Sequence, residues 1–409
     1  MIYRVSHHDR HIRTEVTLPA SKSLSNRALI IQKLCKAPFS IHNLSGSSDT
    51  VLLKQLLDSD DEVLDCHDAG TTLRFLTAFV SLQGKKRIIT GTSRMKQRPI
   101  GDLVEALNDA GAEITYIGEK GFPPLSTGRK KPSGGQIEIT GNISSQFISA
   151  LLLIAPVLKK GIDLEITGEI LSRPYIGMTV ELMKKFSVIC QYNDHHIRIE
   201  HSQYAPADYT VEPDWSAASY WYEIAALSVS AEIVLKGLPV KSLQGDSTVA
   251  GMMEKFGVFT VVKGSDIVLH KKDHQPESHF EGSFEGCPDL AQTIACTCAG
   301  LGVAADLKGL QSLRIKESNR AEALQRELYN LNVQTDFCDR SKLKIYNTRE
   351  IKSTGRTLKT HHDHRMAMSL APLALKLGFA DIENPEVVAK SYPDYWNDLK
   401  SAGFVIEER

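Results

Sequence analysis

One local pattern recurs along this chain. An amphipathic helix ends in glycine or a small polar residue, and a short strand follows at once. Leu103 to Gly111, running on into Ala112-Glu113-Ile114, is the clearest copy; others turn at Ser187, Gly257, Asn332 and Gly403. Successive turns lie 70 to 76 residues apart. Self-similarity at a fixed period means one α/β unit used repeatedly. A sixth, earlier copy turns near Ser59, after Val51 to Leu57. Only 52 residues separate it from Gly111, so this first unit is about 20 residues short of the period. Strand-like runs lie between the helices: Arg87 to Thr90, Gln136 to Thr140, Asp163 to Thr167 and Glu232 to Gly237. Six units divide into two domains of three, with the hinge near Pro213, close to mid-chain.

Length agrees, since 409 residues exceed one typical core. A net charge of −1 supplies no bulk field for nucleic acid or membrane, so any anion site must be built locally. Seven cysteines without ladder-like spacing read as reduced thiols in a cytoplasmic protein. No apolar run reaches membrane-spanning length, and Met1 to Ser6 lacks a signal-peptide core.

The chemistry gathers where helices begin. Thr14 to Arg27 starts as a strand with Val16 and Leu18 on one face, breaks at Pro19, and becomes a helix from Leu24 to Cys35. Ser21, Ser23 and Ser25 are N-cap candidates, and Lys22 and Arg27 flank the start. A helix N-terminus points free N–H groups and partial positive charge outward, so added cations and hydroxyls make an anion cradle. One such stretch is equally an ordinary capped helix; repetition decides. Asp68, Thr71 and Thr72 can cap a helix running to Phe79, with Gly70 open to close backbone approach and Arg74 one turn inside. Arg94, Lys96 and Arg98 precede a Pro-started helix. Ser144, Ser145 and Gln146 open an apolar helix running to about Val157, where plain capping and ligand binding through neutral donors fit alike. Ser172, Arg173, Pro174 and Tyr175 open the next, and Pro213-Asp-Trp-Ser216 another. Asp289 reads as an N-cap. Arg314, Lys316, Glu317 and Arg320 precede or open a long helix, where Lys316 and Arg320 repel unless an anionic partner lies between them. His364 and Arg365 start a further apolar helix, and Lys390 sits on a turn after a strand. The whole describes strongly anionic substrates bound between two similar domains, with carboxylates at hand for proton transfer.

Several alternatives fall away. No G-x-x-x-x-G-K-[ST] phosphate loop occurs. Gly300-Leu-Gly-Val-Ala-Ala305 matches a dinucleotide fingerprint, but it follows a helix and precedes a strand, the reverse of the required order. His361, His362 and His364 do not share one helix face, so they read as polar loop residues rather than metal ligands. Cys296 and Cys298 read as small core residues.

Nine stretches carry a resemblance in this order: LPASKSLSNRAL, DAGTTLR, RMKQRPI, SSQF, SRPYIGMT, PDLAQ, RIKESNR, DHRMAM and AKSYPDYW. Together they resemble the EPSP synthases (3-phosphoshikimate 1-carboxyvinyltransferases) over nearly the whole chain. The resemblance implies a two-domain inside-out α/β barrel of six βαβαββ units, here with the first unit shortened. It implies a first domain at 20–212 and a second at 1–19 plus 213–409, with the active site in the cleft between them. It implies transfer of the enolpyruvyl group of phosphoenolpyruvate to the 5-hydroxyl of shikimate 3-phosphate, on the way to chorismate, by a cytoplasmic monomer that needs no metal or organic cofactor. Lys22, Ser23, Arg27, Ser144, Ser145, Gln146, Ser172, Tyr175, Asp289, Ser312 and Lys316 would then meet shikimate 3-phosphate. Lys22, Gly70, Arg98, Gln146, Arg320, Arg365 and Lys390 would meet phosphoenolpyruvate. Asp289 would act as base for the 5-hydroxyl, and Glu317 with Lys22 as proton donor to carbon.

The nearest rival within the fold acts on UDP-N-acetylglucosamine. It carries a reactive-loop cysteine where this chain has Thr92 to Arg98, and an Asn after its N-terminal Lys where this chain has Ser23. A rival of another class is an inactive phospho-ligand-binding homologue. Three departures from the resembled pattern stand out: Asp68 and Ser312 where asparagines are usual, and the short first unit.

Overall fold

The alternating runs are strands, and they assemble by one rule. In the computed structural model, which describes residues 1–193, 195–272, 277–346, 351–352 and 355–409, Ile137 and Ile139 are buried while Glu138 between them is exposed. Gly135–Thr140 pairs in parallel with Ile162–Thr167, which pairs antiparallel with His196–Ile199, and that with Cys190–Tyr192. The same order, a parallel pair extended by an antiparallel hairpin, recurs in the sheets built on Val63–Asp65, His11–Val16 and His279–Ser283. It recurs again around Phe379–Glu383, where Leu358 makes the parallel bridge and Ile2–His7 and Phe404–Glu408 supply the antiparallel strands.

The period residues explain the hairpins. Gly111, Ser187, Gly257, Asn332 and Gly403 have φ of 100°, 65°, 80°, 62° and 93°. A left-handed residue after a helix ends it and turns the chain back, here into the outer hairpin strand. Each outer strand packs on the helix just before it.

The first unit breaks the rule, and the break locates the shortening. Ser59 is extended, with φ −75° and ψ 139°. No hairpin follows it. The chain runs from helix Ser48–Asp58 straight to Val63, and this unit's sheet is only Ile41–His42 paired with Tyr209–Thr210. Where a hairpin would cover the helix lies a groove of about 740 Å³ lined by Leu44, Val51, Lys54, Gln55, Asp58 and Asp61.

The chain divides into two compact units, Met1–Pro19 with Glu212–Arg409, and Ala20–Val211. Strand His11–Val16 belongs to the former through its parallel pairing with Ser230–Leu235. In Ala20–Val211 the core is three mutually packed helices, Lys22–Leu34, Gly70–Ser81 and Ser145–Ile154. In the other unit it is Trp215–Leu227, Ala291–Leu301 and His364–Leu370. These inner helices are buried over most of their surface because other elements surround them, polar residues such as Asn26, Thr77 and Ser369 included. The helices that precede hairpins are amphipathic and lie under the sheets. Helices therefore sit inside and sheets outside, but among the described residues the sheets stay separate and no barrel closes.

Cys296 and Cys298 are core residues, and Gly302, with φ 71°, ends their helix before strand Ala304–Lys308. The glycine pair there is a helix-to-strand turn.

One core residue carries a pH signature. Glu223, on Trp215–Leu227, is fully buried, and neither carboxyl oxygen has a hydrogen-bond partner among the described residues. Burial raises its pKa well above the ordinary value. The folded chain therefore holds it neutral, and stability is full at low pH and falls as pH rises above the unfolded carboxyl's pKa towards the folded one. Unfolding by urea at pH 5 and pH 8 is expected to show a smaller loss of midpoint across that span for Glu223→Gln than for the wild type. Equal losses would assign the pH dependence elsewhere.

Candidate active site

In Ala20–Val211 the first turns of the inner helices are tied together. Lys22 Nζ lies 3.1 Å from Asp49 Oδ2, and the Asp49 carbonyl accepts from Thr72 Oγ1 at 3.0 Å. Thr71, beside Thr72, accepts from Gln146 Nε2 at 3.0 Å. Three helix N-termini are thus gathered, and their free N–H groups and dipoles add into a positive site. Gly70 lies among them with Arg98 and Arg74 packed on its α-carbon: a β-carbon there would stand 2.5 Å from Arg98 Nη1 and 2.6 Å from Arg74 Nη1. Arg74 is itself held by the carbonyls of Gly70 and Pro99.

Arg27 is more deeply set than a surface cation at a helix start, with 2% exposure. Its Nε donates to Thr179 Oγ1 at 2.7 Å, Nη1 to the Ser23 carbonyl at 2.9 Å, and Nη2 to Ser149 Oγ and the Tyr175 carbonyl at 3.1 and 3.2 Å. No carboxylate faces it among the described residues, and burial lowers its pKa to about 10. A buried cation without a counter-charge is costly, and an arriving anion relieves that cost. Ser144 caps Ser145–Ile154 by accepting from the Gln146 N–H at 3.3 Å. Ser172 holds the N-cap place of Arg173–Lys185 in the left-handed region, with φ 56°, and makes no capping bond. Ser23 and Tyr175 join this group through their carbonyls on Arg27, whereas Ser145 is simply buried in the first turn of its helix.

The second cluster is ionic. Asp289 Oδ1 accepts from Arg320 Nη1 at 2.8 Å and faces Lys316 Nζ at 3.9 Å; its Oδ2 accepts from Arg365 Nη2 at 2.8 Å. Glu317 Oε2 accepts from Arg320 Nη2 at 2.7 Å. Asp363 accepts from Arg320 Nε at 2.7 Å and caps the helix of Arg365 through its backbone N–H at 3.0 Å. Burial pushes the Asp289 carboxyl up, but Arg365, Lys316 and Arg320 outweigh it and, against Glu317, hold it far below the usual carboxylate range. Arg320 is likewise pushed down by burial and held above its ordinary value by Asp363, Glu317 and Asp289. The resting cluster is therefore a charge-balanced set, with Asp289 ionised. Ser312 lies in the short turn Gln311–Ile315 just ahead of Lys316, and Lys390 ends the turn Pro385–Lys390, which packs on His364–Leu370.

Some sequence expectations change. Asp289 caps nothing: it lies in the turn Pro288–Leu290, and its side chain serves two arginines. Asp68 does not cap Gly70–Ser81 either; it accepts from the Thr92 hydroxyl. The helix after Arg98 starts at Gly101 rather than at Pro99. His361 meets Glu327 at 2.8 Å, and His364 is buried at its helix start. Asp49 and Asp363 are missing from the sequence reading. Each sits at a helix start, Asp49 in the first turn of Ser48–Asp58 and Asp363 as the cap of His364–Leu370, where an ordinary helix-start carboxylate hides an ionic partner.

The family model for EPSP synthase (3-phosphoshikimate 1-carboxyvinyltransferase) matches residues 52–399. The 3-phosphoshikimate 1-carboxyvinyltransferase of Bacteroides fragilis is 47% identical over 397 residues, covering 97% of each chain. That of Haemophilus influenzae is 33% identical over 421 aligned positions, covering 94% of this chain and 95% of its own. The EPSP synthase of Acinetobacter baumannii superposes with a TM-score of 0.78 over 100% of both chains at 20% identity. The enolpyruvyl transferase NikO of Streptomyces tendae gives 0.75 at 16% identity over 99% of this chain and 98% of its own.

Proposed function

This chain belongs to the EPSP synthase family, and from that premise we propose that it transfers the enolpyruvyl group of phosphoenolpyruvate to the 5-hydroxyl of shikimate 3-phosphate, releasing phosphate. The observation that carries this reading is the Asp289–Arg365–Arg320–Glu317 cluster, which pairs candidate proton-transfer groups with cations suited to a carboxylate and a phosphate. A protein that only held an anion would gain nothing from burying carboxylates beside it.

Arg27, Ser23, Ser144, Ser145, Ser172 and Tyr175 are assigned to shikimate 3-phosphate, with Ser312 and Lys316. Lys22, Gly70 and Arg98 are assigned to phosphoenolpyruvate, as are Arg320, Arg365 and Lys390; Gln146 serves either substrate. Asp289 takes the 5-hydroxyl proton as the new C–O bond forms at C2 of phosphoenolpyruvate, and Glu317 gives a proton to C3. The tetrahedral ketal then loses phosphate and a C3 proton. Asp289 is a weak base while arginines surround it. Substrate anions that share Arg320 and Arg365 raise its proton affinity, so basicity arrives with the substrate. Glu317 must carry a proton before it can give one to C3. The cations stabilise the departing phosphate. Among the described residues no helix is long and apolar enough to cross a membrane, and all seven cysteines are free thiols; with the family resemblance beside these, we place the enzyme in the cytoplasm as a monomer.

The test is phosphate release from phosphoenolpyruvate with shikimate 3-phosphate, run beside UDP-N-acetylglucosamine. Release with the former alone supports the reading; release with the latter alone, or with neither, overturns it. The absence of cysteine from Thr92–Arg98 speaks against the latter. Gly70→Ala is expected to raise KM for phosphoenolpyruvate about tenfold, equivalent to about 1.4 kcal/mol, because the added methyl displaces Arg98. An unchanged KM would remove Gly70 and Arg98 from the site.

A further inference from the structure

Asp246 has no part in the roles assigned above, yet it is buried where the inner helices of its unit begin. Ser216, in the first turn of Trp215–Leu227, donates its hydroxyl to Asp246 Oδ2. The same hydroxyl oxygen accepts from Arg365 Nη2 at 3.4 Å, and that Nη2 also donates to Asp289 Oδ2 at 2.8 Å. Asp246 Oδ1 is buried with no hydrogen-bond partner among the described residues. The repeat supplies an independent parallel. Asp49-Thr-Val51 and Asp246-Ser-Thr-Val249 stand at corresponding places, each at the head of the helix that follows an inner helix in the chain and against the first turn of that inner helix. Asp49 holds the cation Lys22 directly, at 3.1 Å. Asp246 reaches Arg365 through one hydroxyl.

We infer that Asp246, acting through Ser216, is a positioning residue for Arg365: it steadies the guanidinium beside Asp289 and, by its own charge, sets how strongly Arg365 draws an anionic substrate. The inference rests on the proposal that Arg365 meets phosphoenolpyruvate. The groups facing Asp246 are Asp214 and Ser216 at the head of Trp215–Leu227, Cys287 and Asp289 on the segment before Ala291–Leu301, and Arg365 on His364–Leu370. Burial raises the Asp246 carboxyl most, Asp289 and Asp214 add to the rise, and Arg365 and Ser216 oppose it, leaving it at about 7. Below that pH Asp246 is neutral and Arg365 presents its full charge. Above it the carboxylate cancels part of that charge, so phosphoenolpyruvate binds more weakly.

The experiment is steady-state kinetics at pH 6 and pH 8 on wild type, Asp246→Asn and Ser216→Ala, with thermal unfolding alongside. Substrate titration affects every variant alike, so the informative quantity is the ratio of KM for phosphoenolpyruvate, wild type to Asp246→Asn. That ratio is expected to rise at least threefold from pH 6 to pH 8 while the kcat ratio changes less than twofold. Ser216→Ala, which breaks the link from Asp246 to Arg365 and leaves the guanidinium on Asp289 and Tyr220, is expected to raise KM at least fivefold at both pH values. A pH-independent ratio, with or without a lower Tm, overturns the inference. Should Asp246→Asn not fold, an unchanged KM in Ser216→Ala overturns it by itself. An active wild type with a flat ratio refutes the positioning role alone; a wild type that releases no phosphate at either pH refutes the reaction and the inference together.

Discussion

The Glu317→Gln enzyme is expected to turn over about 10²–10⁴-fold more slowly than the wild type, the usual cost of losing a positioned proton-transfer group. Glutamine keeps the size and one oxygen to face Arg320, so the fold and the anion site survive. It cannot shuttle a proton to C3 and take it back. Binding of phosphoenolpyruvate and shikimate 3-phosphate, measured by calorimetry, should stay within a few-fold of wild type while phosphate release collapses. Near-full turnover would remove Glu317 from the chemistry and leave it only as a counter-charge to Arg320.

Arg320→Leu is expected to cost about 3–5 kcal/mol of folding stability, in addition to abolishing activity. Arg320 is 1% exposed, and its guanidinium meets Asp289, Glu317 and Asp363 within 2.8 Å. Removing it leaves three carboxylates crowded together, with Lys316 and Arg365 still beside Asp289. They can respond by taking up protons, so the loss should shrink as pH falls towards 5. Denaturant unfolding at pH 5 and pH 8 measures both effects. A variant as stable as wild type at pH 8 would mean that solvent, rather than Arg320, balances these carboxylates.

Much of the architecture could be read from residues that never touch substrate. Gly111, Ser187, Gly257, Asn332 and Gly403 betray the period because only glycine and a few small polar residues sit easily in the left-handed turn that sends a helix back into a hairpin. Ser59 could be matched to them by its helix but not by its backbone, since φ follows from what the chain does next. That is why the shortening was visible as a count and its place was not. Among the site residues, those at helix starts were legible because cations and hydroxyls there have few other reasons to cluster. Asp289 was legible as a helix-start carboxylate but not as the partner of two arginines 31 and 76 residues away. Asp49, Asp363 and Asp246 were hidden for the same reason: an Asp before a helix reads as a cap, and nothing local says that a cation is folded against it.

The sequence by itself determined the repeated α/β unit and the run of polar helix starts, because these follow from local periodicity and turn chemistry. Only the tertiary structure decided that the absent hairpin belongs to the first sheet, that Arg27 is a buried cation facing no carboxylate among the described residues, and that Asp289 rests under the charge of three cations. Those are properties of long-range neighbours. A side chain's charge state and work depend on the field of groups that the fold brings within a few ångströms, whatever their distance along the chain.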